Sequence, residues 1–214
     1  MALSWTYTLL RTVSLWLSTI GPWRGRDQPT ETLNDFSDLL KWLENTAGVS
    51  AASSRGIARW SRAHPVKAAN VFADAVALRE AMYRSFAAQA AAEYPRPTDF
   101  ALLQRALAQA PARQRLAPAD GGYAWTIERL QPSAAHLLTP ILWSAGDLLI
   151  KGARGNVRRC ANSECVWLFI DASKNATRRW CDMASCGNQA KVRRFRAKRR
   201  EGSTAGDGDT GSPA

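Results

Sequence analysis

Residues 160–191 read Cys160-Ala-Asn-Ser-Glu-Cys165-Val-Trp-Leu-Phe-Ile-Asp171-Ala-Ser-Lys-Asn-Ala-Thr-Arg-Arg-Trp-Cys181-Asp-Met-Ala-Ser-Cys186-Gly-Asn-Gln-Ala-Lys191. All four cysteines of the chain lie in this stretch, as two C-x4-C pairs separated by fifteen residues. Four cysteines fit two disulfides, one metal site or unconnected core thiols. Zinc takes four thiolates at tetrahedral corners, and a short gap lets one tight turn aim two of them at the same ion. The residues between the pairs suit this, with a β-rich run at 166–170 and a turn-rich run at 171–175. A hairpin is therefore expected between the pairs. The first twenty residues are interrupted by Arg11 and several Ser/Thr and lack a basic n-region, so they read as a buried strand or short helix rather than as a leader or anchor. A reducing, cytoplasmic setting follows, and there paired cysteines favour metal over disulfide. The expected cofactor is one Zn²⁺ on Cys160, Cys165, Cys181 and Cys186. An all-sulfur set leaves no position for water, so the metal is structural rather than catalytic.

Charge is concentrated in the same part of the chain. The 214 residues carry a formal net charge of +11. Residues 1–150 hold 15 Lys/Arg against 12 Asp/Glu, residues 151–200 hold 14 against 3, and residues 201–214 hold none against 3. These segments are +3, +11 and −3, so the cysteine-bearing fifty residues account for the whole excess. Four thiolates and one Zn²⁺ would still leave that segment near +9. After Cys186, seven of the ten residues from Lys191 to Arg200 are basic, on what reads as a helix. Val192 and Phe195 form a narrow apolar stripe on it, expected to dock on the zinc knuckle. The expected partner is nucleic acid, DNA favoured over RNA, through Lys174, Arg178, Arg179, Lys191, Arg193, Arg194, Arg196, Lys198, Arg199 and Arg200. Too few bulky apolar residues accompany these bases for a membrane surface.

Upstream, 46% hydrophobic residues support a sizeable core. Leu33, Phe36, Leu39, Leu40 and Leu43 recur at helical spacing, capped by Asn34 or Thr32 and stopped at 45–48. A long alanine-rich helix runs from after Pro65 to about Ala92, with Val71, Ala75, Leu78, Met82 and Phe86 inside. A third helix spans 98–110, capped by Thr98 or Asp99. Residues 113–117 and 123–130 flank Asp120-Gly121-Gly122, which is hairpin chemistry. A fourth helix runs from about Pro132 to Lys151 and stops at Gly152-Ala-Arg-Gly155. The fold class is α+β: a mostly helical N-terminal domain with a small β-hairpin over 1–152, a zinc finger of hairpin and basic helix over 156–200, and a disordered tail over 201–214.

Catalytic chemistry is not written in the sequence. His64 and His136 have no ligand or nucleophile at useful spacing, and no G-x-S-x-G, P-loop, HExxH or G-x-G-x-x-G occurs. Of nine tryptophans, Trp5, Trp16, Trp23, Trp42, Trp60, Trp125 and Trp143 lie upstream of the finger. Most belong to a core, and some can line a pocket for a small apolar or aromatic effector. A binding module is the first reading. An RNA-binding protein, an adaptor that uses the finger as a scaffold, and an enzyme in the N-terminal domain are the alternatives.

The ordered series Cys160-Ala-Asn-Ser-Glu-Cys165, Trp167-Leu-Phe169-Ile-Asp171, Arg178-Arg-Trp-Cys181 and Cys186-Gly-Asn-Gln-Ala-Lys191 resembles a CGNR-type zinc finger, with Gln189 where that family usually has Arg. The upstream part is similar to the ABATE-type domain that usually precedes this finger in bacterial proteins. Gly-Pro-Trp at 21–23, Asp38-Leu-Leu-Lys-Trp-Leu43, Leu78-Arg79-Glu80 and the helix through Ser144 and Leu149 carry that similarity. Leu15-Trp16-Leu17-Ser18-Thr19 stands where the family commonly reads Asp-Phe-Val-Asn-Thr. The resemblance implies a stress-type transcription regulator.

Overall fold

A computed structural model describes residues 13, 16–17, 25, 30–46, 49–119, 122–127, 129–151, 157–171 and 173–204. The turn at 120–121, the stop at 152–155, the Gly-Pro-Trp at 21–23 and the tail beyond 204 lie outside these residues. The described chain is mostly helical with two small hairpins, as the sequence indicates.

The N-terminal part contains the helices α1 (Phe36–Thr46), α2 (Ala51–Ala63), α3 (Pro65–Ala90), α4 (Pro97–Gln109), the short α5 (Ala134–Leu137) and α6 (Thr139–Lys151). α3 is the hub. It touches α1, α2, α4 and α5, and also the strands of the finger. Ala68, Ala75, Leu78, Met82 and Phe86 are buried along it, and Val71 is partly buried. Leu39 and Leu43 from α1, Leu103 from α4, and Leu137, Leu138, Ile141 and Leu142 from α5 and α6 complete the core, with helical Val13, Trp16 and Leu17.

Local chemistry fixes the boundaries. α1 is capped by Asp35, whose Oδ1 accepts the Asp38 N–H at 2.9 Å, rather than by Asn34 or Thr32. A carboxylate there meets the positive end of the helix. α2 carries a short apolar side: Ile57 and Ser54 are buried and Ala58 and Trp60 partly so, while Gly56 weakens its middle. Ser50 Oγ starts it by accepting the Ser53 N–H. Pro97 opens α4, and Asp99 turns away from a capping role to bind Arg84 at 2.6 and 2.9 Å. The expected fourth helix is divided at Leu138, because Pro140 has no N–H to give the His136 carbonyl. The Thr139 hydroxyl donates to it instead, at 2.9 Å.

β1 (Arg115–Ala119) pairs antiparallel with β2 (Gly122–Thr126), each shifted from the expected strand limits. Arg113 is drawn out of the strand by a two-pronged ion pair to Asp147, at 3.0 and 2.9 Å, over the Trp143 ring.

The C-terminal end of α3 closes in a Schellman arrangement. Glu93 N–H donates to Ala88 O and Ala92 N–H to Gln89 O, with Ala92 at φ 58°. Glycine meets no Cβ penalty in that conformation. Ala92→Gly is expected to raise stability by about 0.5–1 kcal/mol, read as a higher denaturant midpoint with unchanged slope. A lower midpoint would contradict the cap.

Candidate metal centre

The finger is built on β3 (Val157–Arg159) and β4 (Leu168–Ile170), paired antiparallel with Arg158 opposite Phe169. The hairpin therefore frames the first cysteine pair; the expected placement was between the two pairs. The partner strand lies upstream of Cys160, where alternating Val157 and Arg159 gave too short a signal to notice. Val157 and Leu168 point into the same core as the helices, so the finger's base is a wall of the N-terminal core.

The loop from 160 to 167 is a tight knuckle. Cys160 N–H donates to Trp167 O at 2.7 Å, continuing the ladder. Cys165 and Val166 N–H both donate to Asn162 O at 3.0 Å. Val166 sits at φ 44°, an uncommon place for a β-branched residue. Its carbonyl is held by the Tyr83 hydroxyl of α3 at 2.8 Å. Gly25 N–H donates to Glu164 O at 2.8 Å, and a Cβ on Gly25 would lie 2.0 Å from the Ser163 carbonyl oxygen. Only glycine permits that approach.

The second pair is returned to the first by buried Asp171. Its carboxylate accepts the Ser173 hydroxyl and N–H at 2.5 and 3.0 Å and the Arg178 N–H at 2.8 Å, closing the loop over Lys174. These hydrogen bonds, led by Ser173, outweigh burial and hold Asp171 below the usual carboxylate range. Ala161 N–H then donates to Arg179 O at 2.9 Å. Cys186 lies on a single π-helical turn (Met183–Gly187), in which Gly187 N–H donates to Asp182 O and Asp182 Oδ2 caps Ser185 N–H at 2.7 Å.

These turns bring all four sulfurs within 4.8 Å of one another. Cys165 and Cys181 Sγ are 3.6 Å apart, and Cys181 and Cys186 Sγ 3.7 Å. A tetrahedron with metal–sulfur bonds of about 2.3 Å requires roughly 3.8 Å between sulfurs, whereas a disulfide requires about 2.0 Å. All four cysteines are free, and three are buried. The sulfur–sulfur contact with Cys181 draws Cys165 down to about 5, and the same pairing pushes Cys181 up. Crowded thiols of this kind cannot all ionise without a cation among them. The residues fit one structural zinc ion.

Asn162 links the metal site to the basic helix α7 (Asn188–Thr204). It is 4% exposed; its Nδ2 donates to Cys186 Sγ at 3.6 Å and to Gln189 Oε1 at 3.1 Å, and its Oδ1 accepts from Arg193 at 2.7 Å. Sequence reasoning missed this residue; its signal is an Asn inside the first Cys pair. It also overturns the expected docking of Val192 and Phe195. Gln189 and Arg193, one turn apart, face the knuckle, which leaves Val192 47% and Phe195 62% exposed. α7 continues to Thr204, four residues into the segment expected to be disordered.

The basic residues divide into two groups. Arg178 is spent on the finger: its Nε donates to Trp180 O at 2.8 Å, its terminal nitrogen reaches Cys181 O, and its guanidinium lies 4.8 Å over the Phe169 ring. Arg179 lies over Trp180. Lys191, Arg194, Arg196, Lys198 and Arg199 are exposed on α7, which also carries Arg200, and Lys174 is exposed on its turn. Of the other residues singled out, His64 closes α2 and stacks on Trp60, and burial lowers His136. Trp16 packs on Trp42, and Trp125 lines a cavity of about 170 Å³ with Ser53, Ile127 and Pro140. No described helix is long and apolar enough to cross a membrane.

Two family models match the chain. One, CGNR zinc finger, covers residues 156–199. The other, ABATE, described as "Putative stress-induced transcription regulator", covers residues 9–152. No curated protein matches it.

Proposed function

The chain belongs to the ABATE family, with a CGNR zinc finger at residues 156–199, and from that premise we propose that it is a zinc-dependent nucleic-acid-binding regulator acting in the cytoplasm, with DNA favoured over RNA. The observation that carries this reading is α7. Its residues 191–199 are exposed throughout, and six of these nine are Lys or Arg. Asn162 couples the root of this helix to a zinc ligand, so the metal fixes the direction in which the charge projects. The N-terminal part does no chemistry in this reading. It carries the finger through Tyr83, Val157 and Leu168, and it senses an effector or mediates assembly.

Counterion release makes such binding steeply salt-dependent. Zinc-loaded protein should bind a 20-base-pair DNA duplex with an affinity that falls linearly on a log–log salt plot. A Lys191→Gln/Arg194→Gln/Lys198→Gln variant should flatten that slope by about 2.7, three phosphate contacts' worth. Binding that ignores salt, or none to DNA or RNA, would reject the reading and favour an adaptor. Tighter binding to RNA would reject the preference for DNA.

A further inference from the structure

α7 leaves the finger with two bulky apolar side chains uncovered among its bases. With about 100° between successive residues, Gln189 and Arg193 occupy the side that faces Asn162. The far side is then centred on Lys191, Phe195 and Lys198, with Arg194 on one flank and Arg199 and Val192 on the other. Phe195 is thus ringed by cations, and the Arg199 guanidinium lies 5.9 Å from its ring centroid. Val192 and Phe195 are both exposed, and they sit together among cations rather than scattered singly. A membrane surface would need more apolar area than these two residues give.

We infer that α7 enters the major groove of duplex DNA and that Phe195 and Val192 read thymine methyl groups there, while the surrounding Lys and Arg hold the phosphates. The inference rests on the nucleic-acid reading above and deepens it. Charge complementarity selects a polyanion, and the apolar pair selects one that displays methyl groups between its phosphates. Thymine C5-methyls in the major groove are that feature, and the groove, about 12 Å wide, admits an α-helix. RNA lacks the methyl, and its A-form major groove is too narrow for a helix to enter. The polar bonds of Gln189 and Arg193 to Asn162 fix the rotation of the helix, so its reading face does not depend on the ligand.

The test uses zinc-loaded full chain and two pools of random 20-base-pair duplexes, one made with thymine and one with uracil in its place. Uracil pairs identically and lacks only the methyl. Wild type should bind the thymine pool roughly 4- to 15-fold more tightly, the effect of one or two buried methyl groups. Phe195→Ala and Val192→Ala remove exposed side chains and should fold normally. The double variant should bind both pools equally, with the wild-type salt slope. Equal affinity of wild type for the two pools overturns the inference, and so does a thymine preference that survives in the double variant. Failure to bind either pool would instead strike the nucleic-acid reading itself.

Discussion

Stripping zinc from the protein is expected to unfold residues 160–187 and to release α7, while leaving the helices around α3 folded. Structural zinc sites contribute apparent binding free energies of about 10–16 kcal/mol at neutral pH, and a small metal-bound module has little else to fold on. Here the cysteine cluster buries only Phe169 beside the thiols, with Trp167 and Trp180 half-covering it. The polar closure by Asp171, Asp182 and Asn162 depends on turns that the metal draws together. β3 and β4 differ, because Val157 and Leu168 are packed in the helical core. The boundary between what melts and what persists should therefore lie inside the finger. Zinc content should be about one per chain, and hydrogen exchange followed by mass spectrometry should show protection lost from Cys160 onward after chelation. Cys165→Ser should give the same pattern without chelator. Acid should promote metal release, since each thiolate must compete with a proton for its place. Retained protection at 160–187 in metal-free protein would contradict this account of the site.

How much of this was legible depended on whether a residue acts locally. The four cysteines are, because ligand type and spacing specify a closed metal site wherever the chain carries them. The stripe of α3 is, since Ala75, Leu78, Met82 and Phe86 repeat at the helical period and all are buried. The helix α2 escaped because Ser54 and Ile57 are its only fully buried residues, and its other core contacts, Ala58 and Trp60, are only partly buried among Ser and Arg. The pairing of β3 with β4 escaped for a different reason. A three-residue strand has no alternation to read, and its partner lies across the knuckle. Asn162 and Asp171 are single polar residues in sequence, and their importance comes from being buried while also bonding distant segments, Asn162 to Cys186, Gln189 and Arg193 and Asp171 to Arg178. Val192 and Phe195 were read from their own spacing, and the face of α7 was decided instead by Gln189 and Arg193 finding Asn162. Pattern tells which residues prefer burial; it does not say which face a neighbour claims first.

The second large effect is expected at Arg79, whose side chain is 1% exposed on α3. Its two terminal nitrogens grip the Glu31 carboxylate at 2.9 and 2.5 Å, and its Nε donates to Glu80 at 2.9 Å. Glu31 also accepts the N–H groups of Thr32 and Leu33 at 3.0 Å, so the pair fastens the entry to α1 and seats buried Leu33 against the core. Arg79→Ala removes the cation from between two carboxylates and leaves a cavity. Breaking a buried pair this way costs about 3–5 kcal/mol; with Glu31 37% exposed and able to turn to water, the lower end is expected, about 3 kcal/mol. Arg79→Lys should recover little of it, since an ammonium cannot bridge both oxygens of Glu31 and reach Glu80. The effect has a pH signature. Burial alone would raise Glu31, but the Arg79 hydrogen bonds and charge, with the Leu33 and Thr32 amides, hold it below its ordinary value. A carboxylate lowered on folding contributes stability that is present above its unfolded pKa, about 4.3, and is lost as pH falls through the folded value. Wild type should therefore lose this contribution below about pH 4, whereas Arg79→Ala has already lost it. The difference between the two in denaturant unfolding should be largest at pH 7 and should shrink by pH 3. An undiminished difference at pH 3 would mean that Arg79 acts through packing volume, and Arg79→Met would then restore most of the stability at both pH values.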